Sequence, residues 1–83
     1  MARKYSPVWN KLKTTSVAEV TVSGSHRATI RQAIKKLKTE ENVNRRNLGM
    51  LFYGKLTIIE KCIDKDRDMW RIEFGLEFNP NLL

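Results

Sequence analysis

The sequence predicts a small α+β domain in the order β-α-β-β, a three-stranded antiparallel-type sheet packed on one helix, and three stretches carry that expectation. Residues 16–23 (SVAEVTVS) set Ala18, Val20 and Val22 against Glu19 and Thr21, the period of two of a half-buried strand. Ile30, Ala33, Ile34 and Leu37 recur at i, i+3, i+4 and i+7, one apolar helical stripe. Residues 69–78 (MWRIEFGLEF) alternate Trp70, Ile72, Phe74, Leu76 and Phe78 with Arg71, Glu73, Gly75 and Glu77, the clearest strand in the chain.

In chain order, residues 1–14 read as a basic N-terminal segment: Arg3, Lys4, Lys11 and Lys13 surround Tyr5 and Trp9 with no acid among them. Trp9 is expected to cap the edge of the core, because a small domain needs each large apolar side chain; stacking on an unpaired base is its functional alternative. The strand over 16–23 is broken by Gly24, after which Ser25 suits the N-cap of a helix over 26–41. That helix is expected to end between Thr39 and Leu48, where Asn42, Asn44 and Asn47 are mediocre helix formers and Gly49 is a plausible stop. Residues 55–63 (KLTIIEKCI) are rich in β-branched side chains, and DKDRD (64–68) is a polar turn, so 55–63 and 69–78 form a hairpin. The open face of this sheet is expected to show Arg71, Glu73, Glu77 and Lys61, a mixture suited to solvation. Residues 50–54 (MLFYG) read as core, or else as an exposed interaction patch.

All 83 residues form a single domain on this reading, near the lower size limit for a self-sufficient core. One strand edge, that of the first or the last strand, could pair with a second copy, and a homodimer is expected. The lone Cys62 and lone His26 allow neither an internal disulfide nor a Cys/His zinc cluster, and no cofactor or metal is expected. Asp64, Asp66 and Asp68 have calcium-loop spacing, but Met69 and Gly75 stand where such a loop needs Gly and Glu. No apolar run approaches the roughly 18 residues of a membrane span, and the N-terminus lacks a signal-like stretch. A cytoplasmic location is therefore expected.

Charge is the most informative feature. The net +7 divides into +8 for residues 1–46, with eleven Lys or Arg against three Glu, and −1 for residues 47–83, with five against six. Arg27, Arg31, Lys35 and Lys38 form one stripe on the helix, roughly a quarter turn from the apolar line; Arg45 and Arg46 extend it, and Lys36 lies on the opposite flank. Like charges at i, i+4 repel, and no Glu is interspersed to offset them. A solvated basic surface is the plain reading. The functional reading is a ridge that follows consecutive phosphates, with Lys11 and Lys13 assisting. RNA is preferred to DNA as the partner, since only one well-formed helix is expected and a helix-turn-helix needs two. The aromatic signature of an RNA-recognition motif and the GXXG clamp are both absent. His26 beside Ser25 and Arg27 is the one candidate general base, and Cys62 lacks a neighbour to activate it, so no enzyme activity is expected.

A short basic chain with a Trp-bearing opening segment, a lone strand, a basic helix and an amphipathic hairpin resembles, across its whole length and in style alone, the small accessory proteins of T-even-like phages. That resemblance implies a binding inhibitor in the host cytoplasm, of the kind that disarms toxin–antitoxin ribonucleases, acting on a protein–RNA complex. It transfers no functional residue. Two functions are therefore expected as alternatives: an RNA-binding regulator or inhibitor using the basic stripe, or an inhibitor that binds an acidic host protein through a sheet edge or residues 50–54 without touching nucleic acid.

Overall fold

The computed structural model describes residues 5–47 and 53–78, with the backbone alone at 45, 46 and 78. Its elements run α1 (Ser6–Thr15), β1 (Val17–Ser23), a single 3₁₀ turn (Gly24–His26), α2 (Arg27–Asn47), β2 (Tyr53–Asp64) and β3 (Met69–Phe78). The three strands form one antiparallel sheet in the order β1-β3-β2. The expected class, α+β with a three-stranded antiparallel sheet, is what the chain adopts; the expected β-α-β-β order with one helix is corrected by a second helix ahead of the first strand.

The opening segment is not merely a basic tail. Residues 6–15 are a helix, begun by Pro7 in its first turn and closed by Ser16, whose left-handed backbone (φ 65°) lets its N–H donate to Leu12 O at 2.9 Å. Tyr5, Val8, Trp9 and Leu12 supply an inward stripe at i, i+3, i+4 and i+7. α1 thus shares with α2 the covering of one sheet face, α1 over β1 and β3 and α2 over β2. Trp9 is buried core, as the packing alternative held, so it offers no platform to a base.

α2 begins at Arg27 and runs to Asn47, within the expected window of Thr39 to Leu48 and at its far end. Two polar side chains explain this length. Asn42 donates from Nδ2 to Tyr53 O (3.0 Å) and accepts from Tyr53 N–H (2.8 Å), bonding both backbone groups of the first residue of β2. Glu41 accepts from Trp9 Nε1 at 2.9 Å and from Tyr53 Oη at 3.4 Å. These tertiary bonds outweigh the weak helix propensity of Asn, which is worth only about 0.7 kcal/mol relative to Ala. Ser25 sits inside the 3₁₀ turn, with its hydroxyl 3.0 Å from that of Ser23.

The strands obey their alternation. Ala18, Val20, Val22, Ile58, Ile72, Phe74 and Leu76 face the helices, and Leu12, Ile30, Ile34 and Ile72 are fully buried. Trp9 and Tyr53 meet edge to face, with ring centroids 5.3 Å apart. The open face shows Arg71, Glu73, Glu77 and Lys61 as expected, Lys61 reaching Glu73 at 3.1 Å. β3 is central, so the last strand has no free edge to offer a second copy; the outer strands are β1 and β2. Of residues 50–54, Tyr53 is core and opens β2 and Gly54 follows it in the strand, while 50–52 lie outside the described residues.

Candidate nucleic-acid interface

The basic stripe belongs to one flank of α2, and two contacts fix which way that flank points. Arg31 reaches Glu60 of β2, and eleven positions later Asn42 reaches Tyr53, the first residue of β2. At about 100° per residue, Arg31, Lys35, Lys38 and Asn42 fall within one sector of the helix. α2 therefore runs antiparallel to β2, and Lys35 and Lys38 lie between its two anchors, at the margin where the helical layer meets the outer strand.

Half of the stripe is already engaged. Arg31 Nη1 donates to Glu60 Oε2 at 3.0 Å, and Arg27 Nη1 lies 4.0 Å from Glu60 Oε1. The Arg27 guanidinium also stacks 3.8 Å from the centroid of the Trp70 ring. Trp70 Nε1 in turn donates to Asp68 Oδ1 at 2.8 Å, and Asp68 O accepts from Gly24 N–H at 2.7 Å. Glu60, Arg27, Trp70, Asp68 and Gly24 thus form a continuous clasp that holds the hairpin tip against the start of α2. Neither Glu60 nor Trp70 was among the expected site residues. The signal for Glu60 is its phase: Leu56, Ile58 and Glu60 share the helix side of β2, so the acid had to meet a cation there.

Lys35 is exposed and Lys38 half-buried, and neither has an ion-pair partner among the described residues. The α2 helix includes Arg45 and Arg46, whose side chains lie outside the described residues. Lys13 stands on α1 and is already paired, its ammonium 3.4 Å from Glu41 Oε2 between the two helices. Lys11 is separate. It stands at the opposite margin of the sheet, lining a shallow depression of about 370 Å³ with Val17, Ala18, Glu19, Glu73 and Phe74. His26 is exposed in the 3₁₀ turn, and Cys62 is exposed on β2 across from Trp70.

The two layers differ in charge. The helices contain nine cations (Lys11, Lys13, Arg27, Arg31, Lys35, Lys36, Lys38, Arg45, Arg46) against Glu40 and Glu41. The sheet and hairpin turn contain five (Lys55, Lys61, Lys65, Arg67, Arg71) against seven acids (Glu19, Glu60, Asp64, Asp66, Asp68, Glu73, Glu77). The asymmetry between halves of the sequence becomes an asymmetry between faces of the molecule. No family model, curated protein sequence or solved structure matches this chain.

Proposed function

We propose that the protein binds nucleic acid, RNA in preference to DNA, through phosphate contacts from its helical layer, and acts as a non-enzymatic regulator or inhibitor. The segregation of charge by layer carries this reading. A one-sided excess of cations attracts a polyanion and releases its counterions on contact. RNA is favoured because α1 and α2 are separated by a strand and packed side by side on a sheet, so no helix is presented as the second member of a helix-turn-helix.

The test compares two triple charge reversals of equal size by fluorescence anisotropy with single-stranded RNA, duplex RNA and duplex DNA at two salt concentrations. Lys35→Glu/Lys36→Glu/Lys38→Glu alters the helical layer; Lys55→Glu/Lys65→Glu/Arg71→Glu alters the sheet and turn. Arg27 and Arg31 are left in place, because reversing them would break the clasp and confuse binding with folding. The helical triple is expected to abolish RNA binding and the sheet triple to weaken it far less. Equal losses from both would reduce the effect to net charge and overturn the assignment to a face.

A further inference from the structure

We propose that the outer edge of β2 takes an extended acidic segment of a protein partner as a fourth strand. β2 is the longest strand, twelve residues against seven and ten, and among the described residues no strand pairs with its outer side. Register shifts fall at its two ends, between Tyr53 and Leu56 and between Cys62 and Asp64. The stretch Leu56–Cys62 between them is regular and spans roughly 23 Å at about 3.3 Å per residue. A regular edge of that length is a template for main-chain hydrogen bonding unless something blocks it.

The surroundings of the edge select its occupant. On the helix side Lys35 and Lys38 lie between the two contacts of α2 with β2, without ion-pair partners among the described residues, and at one end Arg31 is paired to Glu60. On the open side stand Ile59, half exposed, and Lys61. A second copy joined edge to edge would set these lysines against their own equivalents, which disfavours self-pairing. An incoming strand with acids on one face would meet the lysines of α2, while apolar residues on its other face would lie along Ile59. The ligand is thus a segment that alternates acidic and apolar residues, a pattern that arises directly from the period of two. This inference does not rest on the nucleic-acid reading, although a protein–RNA complex would present both chemistries at once.

Cys62, the single cysteine, is exposed at the end of the regular stretch and reports on coverage of the edge. The probe is a synthetic peptide alternating glutamate and valine, compared with the same peptide N-methylated at alternate backbone amides and with a lysine–valine peptide. The expected result is saturable binding of the first peptide, with slowed maleimide alkylation of Cys62. Binding should weaken by about tenfold on N-methylation and again in Lys35→Glu/Lys38→Glu, whose fold is checked by circular dichroism. Equal binding of the N-methylated peptide would show attraction by charge without strand addition, and unchanged alkylation of Cys62 would place the peptide elsewhere; either overturns the proposal. A dimer by light scattering with Cys62 already protected would make the occupant a second copy. An RNA oligonucleotide that protects Cys62 as strongly as the peptide would assign the edge to nucleic acid. Both of these results also overturn it.

Discussion

Glu60 accepts from Arg31 at 3.0 Å and lies 4.0 Å from Arg27 without a hydrogen bond to it, and its side chain is more shielded than theirs. Its removal should therefore show in stability and in binding with opposite signs. Glu60→Gln is expected to cost about 1 kcal/mol, the low end for charge-assisted bonds because both arginines are partly exposed. That corresponds to a fall in Tm of about 4–8 °C for a domain of this size. The same change removes a negative charge from beside Arg27 and Arg31, so RNA should bind more tightly at low salt; weaker binding in the folded variant would count against the interface. Gly24 supplies a second test. A Cβ there would collide with the Asp68 carboxylate, whereas one at Gly75 would make an ordinary 3.8 Å contact with Thr57 Cβ. Gly24→Ala should cost about 1 kcal/mol by displacing Asp68 from Trp70, and that cost should vanish in an Asp68→Ala background. Chemical denaturation of the four proteins in this cycle checks it.

Among the elements, α2 is where local preference and tertiary structure disagree most. If helix propensity governed residue 42, Asn42→Ala would stabilise the protein by about 0.7 kcal/mol. The structure implies the reverse sign, because the change removes a hydrogen bond from each backbone group of Tyr53, a loss of about 2 kcal/mol. Denaturant midpoints at a constant m-value decide between them. α1 makes a parallel point. Leu12 is fully buried between this helix and the sheet, so Leu12→Ala should cost about 2–5 kcal/mol, far beyond what a basic tail could lose. A change below about 0.5 kcal/mol would mean that α1 does not belong to the core.

At the scale of the whole molecule, the number of cations free to meet phosphates is smaller than the composition suggests. Arg27 and Arg31 are bound to Glu60 and Lys13 to Glu41, which leaves Lys35, Lys36, Lys38 and Lys11 as the exposed or half-buried cations without partners in the described helical layer. Lys11 stands at the opposite margin, so with about three contacts the logarithm of affinity for single-stranded RNA should fall with the logarithm of salt at a slope near −2. A slope steeper than about −6 would mean that further cations join the interface, either the engaged arginines or those whose side chains lie outside the described residues. The sheet contributes little to this term, because its charges of both signs lie close together, as Lys61 and Glu73 do.

The strands, the central helix and the basic stripe could all be read from the chain, because alternation and the helical repeat are local periodicities that burial merely selects. The spacing of Tyr5, Val8, Trp9 and Leu12 carries the α1 helix as well, although basic side chains surround it in the sequence. What no periodicity contains is which charges meet. The sequence by itself determined an α+β domain with a cationic helix, since composition and period depend on each residue's own chemistry. Only the tertiary structure decided that β3 is central, that Glu60 and Glu41 neutralise part of the basic set, and that the remaining lysines of α2 border the free edge of β2. Those facts depend on residues brought together from 28 to 32 positions apart, where pairing is settled by packing of the whole chain and by no local rule.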